Sequence, residues 1–271
     1  MDEEILQSAK SGLPKNYIIK EWHVFDILGK MAGTLAKRED IIFKGGTALN
    51  KIYLGEMQRF SEDIDFDCFY KNKEEKIIEL GEILNEIEGY SVSKGWRLRE
   101  TLRFELSYVL KSGQKDRVFV EFNLRKGKCP FEVLKGTARS DISGQVVAGI
   151  PTYSLPVLTM LKIDALISRG EGKDVYDVYY GLVEIEKKSL MSELTKNIEK
   201  YQEYSGTKID YEEMIKRCIK KLESLNWKAL QKLTNPYIPY QNRPRDWEGF
   251  IRNLILLLDR QMKRVRKPVR L

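Results

Sequence analysis

The sequence predicts an α/β, or α+β, architecture: a first domain over 1–150 built on a mixed sheet with N-terminal helices, and a helical domain over 151–271. Three observations lead there. Alternation of apolar and polar residues, as in RVFVEFNL at 117–124, is confined to the first half. From Ser154 onward nearly every apolar residue recurs at helical spacing. No internal repeat or low-complexity segment blurs the change of character near residue 150.

In chain order, residues 18–38 place Ile18, Trp22, Phe25, Ile27 and Leu28 on an approximately helical stripe. Residues 41–43, IIF, form a short buried strand that Gly45-Gly46 stops, and Thr47 is a good N-cap for a short helix through Tyr53. Residues 59–69 make a strand, 73–87 an amphipathic helix, and 96–110 and 117–124 two strands around a turn at 111–114. The second half reads as helices over 154–168, 172–187, 190–202, 210–224 and 246–265, with Pro236, Pro239 and Pro244 marking a loop before the last. That last helix sets Trp247, Phe250, Ile251, Leu254, Leu257 and Leu258 at helical spacing, a core-facing stripe.

With 271 residues, 42% apolar and 32% charged, the chain is long enough for real cores and unlike a disordered one. The longest aliphatic stretch, 254–258, is far too short to span a bilayer, and the acidic opening MDEEILQSAK shows no secretory signal. A cytoplasmic protein with no membrane partner is expected. Cys68, Cys129 and Cys218 are scattered, with no CxxC pair, which suggests reduced thiols and no structural zinc. Any Ser-His-Asp or Cys-His relay would have to run through the single histidine, His23, whose plain reading is a packed or surface side chain. Catalysis must therefore lean on carboxylates, lysines and metal. The net charge of +7 favours a polyanionic partner. Residues 260–271 hold six Lys or Arg and no acid, either a solvated end or an RNA-contacting tail.

Asp63, Asp65 and Asp67 alternate with Ile64 and Phe66, so on a strand all three share one face. Two carboxylates about 5 Å apart repel by roughly 3 kcal/mol at an effective dielectric near 20. A solvent-facing edge would tolerate them. A calcium loop does not fit, because the position that needs Gly is Cys68 and because Ile64 and Phe66 suit a strand better. The third reading is that divalent cations neutralise the cluster, as in two-metal phosphoryl-transfer sites. Such a site usually wants another carboxylate from a neighbouring strand. In RVFVEFNL, Val118, Val120 and Phe122 face one way and Phe119, Glu121 and Asn123 the other, which makes Glu121 the candidate; a paired charge at a sheet edge is its alternative role.

Upstream, KGGTAL follows a strand and opens a helix, so its two glycines permit close backbone approach and its N–H groups can face a phosphate. A plain strand-to-helix turn reads the same way, and no Walker sequence follows. Its interest lies in the short spacing to Asp63. Lys162 and Arg169 lie seven residues apart on one helix face beside Leu158 and Leu166, an arrangement that suits a triphosphate or a merely solvated basic face. Asp174 and Asp177 could orient those cations or cap the helix.

Gly45-Gly46-Thr47 followed by Arg59-x-Ser61-x-Asp63-Ile64-Asp65-Phe66 resembles the GG[ST]…DxD signature of the polymerase-beta-like nucleotidyltransferase superfamily. More narrowly, it is similar to the AbiEii/AbiGii toxin family, the nucleotidyltransferase half of abortive-infection toxin–antitoxin systems. Lys162, Ala165, Leu166, Arg169, Lys173, Asp174, Tyr176 and Asp177 resemble that family's K-x-x-A-L-x-x-R…[RK]-D-x-Y-D-L motif, and the resemblance spans 20–190. It implies a polymerase-beta-like mixed sheet and Mg²⁺-dependent transfer of NMP from an NTP to an acceptor hydroxyl. Asp63 and Asp65 would hold two Mg²⁺ (Mn²⁺ as a substitute), and Glu121 would help ligate and draw off the hydroxyl proton. Gly45, Gly46, Thr47, Ser61, Lys162, Arg169 and Asp174 would bind the nucleotide, with Lys162 also counted as catalytic. The implied acceptor is RNA, with the tRNA 3′ end leading; the helical domain 151–271 would complete the NTP site and bind that acceptor, and a cognate antitoxin is the implied protein partner. NMP transfer to a protein hydroxyl and a non-catalytic nucleotide- or RNA-binding role are the alternatives. Two departures stand out: Glu121 where the family commonly has Asp, and Lys173 where it usually has Arg before the aspartate.

Overall fold

The computed structural model describes residues 3–266. The chain divides into two compact units, Met1–Ser154 and Leu155–Leu271.

The first unit opens with helices α1 (Glu3–Ser11) and α2 (Lys15–Leu35), then strand β1 (Ile41–Lys44), helix α3 (Gly45–Tyr53), strand β2 (Asp63–Tyr70) and helix α4 (Lys73–Asn85). Strands β3 (Ser91–Val92), β4 (Trp96–Leu98), β5 (Thr101–Val109), β6 (Lys115–Lys126), β7 (Val133–Arg139) and β8 (Val146–Tyr153) complete it. All eight join one sheet in the order β3-β5-β6-β2-β1-β8-β7, with β4 also pairing β5. The sheet is mixed: β2–β6 and β1–β8 are parallel and the other pairs antiparallel.

Period-two alternation gives this sheet two chemically distinct faces. On one, Phe43, Phe66 and Phe122 form an aromatic row across β1, β2 and β6, with successive centroids 5.6 and 5.3 Å apart. The other carries Asp63, Asp65, Phe119 and Glu121. Under α2, Val24, Phe25 and Leu28 are buried with the apolar face. His23 stacks on Tyr108 at 3.5 Å and its Nδ1 meets the Tyr90 hydroxyl at 2.8 Å, so it is a packed side chain.

Four elements of this unit, α1, β3, β7 and β8, had no sequence signal strong enough to name. Strand β8 contains Gly149 at φ 78 and Pro151, and β7 shifts register at Gly136/Thr137, so neither shows clean alternation. The helix after β1 begins at Gly45, two residues before Thr47, and Lys44 is its N-cap residue.

In the second unit, α5 (Leu155–Ser168), α6 (Gly172–Lys187), α7 (Met191–Ser205), α8 (Tyr211–Glu223), α9 (Trp227–Thr234) and α10 (Trp247–Arg266) bury Leu158, Tyr176, Ile198, Leu222, Trp247 and Leu254. Asp210 caps α8 by accepting from Glu213 N at 2.8 Å, and Asn226 caps α9 by accepting from Ala229 N at 3.2 Å. Helix α9 is too short for its periodicity to show in the sequence. Among the described residues no helix is long and apolar enough to cross a membrane.

Candidate active site

The turn from β1 into α3 is fitted to β2. Gly45 has φ 77, a conformation that favours glycine, and a Cβ there would stand 2.8 Å from the Asp65 Cβ. The backbone thus lies against the Asp65 side chain in a way only glycine allows. Thr47 does not cap the helix; its hydroxyl donates to the Asp63 carbonyl oxygen. Asn50 donates from Nδ2 to Gly46 O at 2.9 Å and accepts Arg59 N at 3.0 Å, tying the turn to the segment that leads into β2. Further along α3, Lys51 makes a fully buried ion pair with Glu21 of α2, and Ser140 donates to the same carboxylate at 2.7 Å. Burial pushes the Lys51 ammonium's pKa down. Ser61 is buried just before β2.

Strand register assembles the carboxylates. Asp65 is opposite Glu121 on β6 and Lys44 on β1; Asp63 is opposite Phe119. Asp63, Asp65 and Glu121 therefore share one face, as alternation requires. Glu121 forms an ion pair with Arg103, its partner on β5. Burial, followed by the Asp65 charge, still raises the Glu121 pKa above its ordinary value. The third aspartate has a different occupation. Asp67 is fully buried and its carboxylate meets Lys44 at 2.9 Å, Arg125 at 2.9 Å and the Tyr153 hydroxyl at 2.7 Å.

The donor set facing the turn is all carboxylate oxygen, the chemistry of hard divalent cations. Among the described residues no three His, Cys, Asp or Glu converge closely enough to hold a metal by themselves. Mg²⁺ usually takes only one or two carboxylates, completing its shell with waters and substrate phosphates. The Asp63–Asp65–Glu121 face fits that kind of ion.

The second unit gathers its own predicted residues. Lys162 of α5 lies 3.2 Å from Asp174 and 3.0 Å from Asp177, both fully buried on α6. Arg169 clasps Asp174 through Nε at 2.7 Å and an Nη at 2.8 Å. Burial pushes the Asp174 carboxyl up, but Arg169 and Lys162 together hold it below its ordinary value. The aspartates thus orient the cations, while Glu171 is the N-cap residue of α6. Lys173 places its ammonium over the Tyr237 ring, 4.4 Å from the centroid.

Sequence reasoning passed over Arg103, Lys44 and the partners of Asp67. Alternation along β5 marks Arg103 as a face residue, but only the pairing of β5 with β6 sets it against Glu121. Strand partners are not written in a single sequence.

The family model described as nucleotidyl transferase AbiEii toxin, type IV toxin–antitoxin system, matches residues 26–264. The structure resembles MenT4, a nucleotidyltransferase toxin from Mycobacterium tuberculosis H37Rv, with TM-score 0.55 and 14% identity over 96% of this chain and 92% of that one. A looser likeness, TM-score 0.36 and 18% identity, links 58% of this chain to 76% of an antigenic nucleotidyltransferase-like protein from Paracoccidioides brasiliensis. No curated protein matches in sequence. The mixed sheet with its helices is a nucleotidyltransferase toxin fold, and the chain belongs to the AbiEii nucleotidyltransferase toxin family of type IV toxin–antitoxin systems.

Proposed function

We propose that this nucleotidyltransferase moves NMP from an NTP to a hydroxyl of an RNA acceptor, with the tRNA 3′ end first among candidates, and that this transfer is its toxic activity. The observation that supports this most is the Asp65–Glu121 register, with the Gly45 backbone laid against Asp65. Asp63 and Asp65 are the proposed ligands of two Mg²⁺ ions, for which Mn²⁺ could substitute, with Glu121 as an accessory ligand. Bound there, the ions would neutralise charge on the phosphates and favour ionisation of the attacking hydroxyl.

The chain's own groups do the rest. N–H groups at the start of α3, from Gly45 to Thr47, face phosphate, with Ser61 beside them in the nucleotide site. Lys162 is assigned to the β- and γ-phosphates and to catalysis, Arg169 to the triphosphate, and Asp174 to holding both cations in place. Glu121, whose raised pKa brings it nearer the working range of a proton acceptor, draws off the acceptor hydroxyl's proton. The 1–150 and 151–271 segments act as transferase core and as helical domain completing the NTP site. The protein works in the cytoplasm, under control of a cognate antitoxin.

Asp63→Asn and Asp65→Asn should each abolish transfer of labelled nucleotide while the far-ultraviolet circular dichroism stays native. Loss of a metal ligand removes several kcal/mol of transition-state stabilisation. Incubation with each labelled NTP, Mg²⁺ and total RNA or total protein identifies the acceptor. Transfer at the wild-type rate by either variant would refute the site, and labelling of protein alone would move the acceptor to a protein hydroxyl.

A further inference from the structure

The face that carries the carboxylates continues outward across β6, β5 and β4, where aromatic and basic side chains join it and Glu105, opposite Phe119, pairs with Arg117 at 3.2 Å. One in-register row runs Asp65, Glu121, Arg103, Trp96. Beside it, Phe119 lies opposite Asp63. At a strand spacing of ~4.8 Å, β2 to β4 covers about 14 Å.

Phe119 is the centre of this region. The Arg103 guanidinium stands 5.0 Å from its ring centroid, the Arg117 guanidinium 5.3 Å, and the Trp96 ring meets it edge-on at 6.2 Å. Trp96 is 36% exposed on a three-residue edge strand. A Cβ on the preceding Gly95 would fall 2.6 Å from the Phe104 ring, so that glycine lets β4 close onto the sheet and sets the indole in place. Lys115 and Arg117 share the face of Phe119 by alternation along β6 and are exposed. From Glu121 back to Lys115 the strand extends by about 20 Å. That distance exceeds the reach of one triphosphate and suits a run of backbone phosphates.

An exposed indole beside a half-buried phenyl ring that two guanidinium groups cover, on a sheet beside the reacting centre, is a combination by which proteins hold single-stranded nucleic acid. We infer that this surface, centred on Trp96 and Phe119 with Arg103, Arg117 and Lys115, is the acceptor platform: it stacks the terminal bases of a single-stranded RNA 3′ end and delivers its hydroxyl to Asp63 and Asp65. The inference rests on the RNA-acceptor reading above and supplies the recognition chemistry for it. A terminal base stacks on the Trp96 indole and the next on the guanidinium planes held over Phe119, and the backbone follows the cationic line along β6. Because stacking tolerates any base, the platform selects a free single-stranded end rather than a sequence.

The test uses the full chain and a fluorescent oligoadenylate of about twelve nucleotides, within the length such surfaces occupy. Trp96→Ala should weaken its binding by about fivefold or more, the loss expected for one stacked base, and Trp96→Phe should restore most of it. The double variant Lys115→Ala/Arg117→Ala should lower the slope of log affinity against log salt by about 1.4, two single-strand phosphate contacts. NTP affinity, measured in parallel, should be unchanged in all three. Folded Trp96→Ala and Lys115→Ala/Arg117→Ala proteins with wild-type oligonucleotide affinity would overturn the platform while leaving RNA labelling by the wild type intact. Loss of NTP affinity in Trp96→Ala would also overturn it, by making the indole part of the nucleotide site. Absence of oligonucleotide binding, with Trp96→Ala reducing the labelling of a protein, would overturn it in favour of a protein acceptor. Tight, Trp96-dependent oligonucleotide binding without any RNA labelling would uphold the platform and refute the transfer reading instead.

Discussion

Gly45 and Glu121 show how single residues set the site's chemistry. At Gly45 a methyl group meets two obstacles, a φ of 77 and the Asp65 side chain. Gly45→Ala should therefore lower transfer by at least about a hundredfold, since displacing the carboxylate proposed to hold metal by 1 Å is enough for that. Comparing its kcat with its thermal midpoint separates the local shift from general unfolding. Glu121 carries the opposite kind of strain. Its folded pKa lies above the ordinary 4.5 because burial and then Asp65 disfavour its charge. The folded state therefore binds this proton more tightly than the unfolded chain does, and stability from this group falls as pH rises through the raised value. Glu121→Gln, measured in chelator, should raise the melting temperature by up to a few degrees at pH 7 and make no difference well below pH 4.5. A melting temperature lowered at pH 7 would show that the Arg103 ion pair outweighs the burial penalty.

At the scale of elements, α5 and α6 are joined through charges that have left water. Lys162 serves Asp174 and Asp177 together, and Arg169 serves Asp174 from outside. Lys162→Ala should cost about 3–5 kcal/mol of stability, because it takes the ammonium away from two buried carboxylates, of which Asp174 keeps Arg169, in addition to weakening NTP relative to NMP. Urea denaturation and calorimetric binding read the two effects separately. Restoring stability with a second change, Asp177→Asn, without restoring the NTP preference would establish that the lysine acts on phosphate. Loss of stability with an unchanged NTP-over-NMP preference would leave it a purely structural cation. Asp67 belongs to the same class of residue: a third aspartate on β2, neutralised by Lys44 and Arg125.

For the whole molecule the relevant quantity is the charge of +7 and where it is placed. The basic end expected over 260–271 divides in two. Arg260 is held by Glu186 at 2.7 Å and Gln261 is fully buried, so this part of α10 is structural. Lys267 and Arg270 lie outside the described residues. Deleting 267–271 should preserve the melting temperature and, if those two residues contact tRNA phosphates, flatten the salt slope of tRNA affinity by about 1.4–1.8. An unaltered slope would assign the basic end to solvent. The family adds an antitoxin partner to this picture.

Alternation and helical spacing in the chain were sufficient for a strand over 59–69, which the structure begins at Asp63, for the two faces of β6, for α2, α4 and five helices of the second half, and for the separation of a sheet-bearing half from a helical one. These depend on residue order alone, since side-chain direction repeats every two residues on a strand and about every 3.6 on a helix. GGT and DxD were legible for the same reason: they are local. Pairing was not. Nothing in the order of residues states that β2 lies between β1 and β6, and only that neighbourhood sets Asp65 opposite Glu121, Glu121 opposite Arg103 and Arg103 opposite Trp96. It also separates Asp63 and Asp65 from Asp67, three like residues in one repeating pattern, by surrounding the last with Lys44, Arg125 and Tyr153. A carboxylate's function depends on the charges within a few ångströms of it, and those charges come from segments far away in the chain.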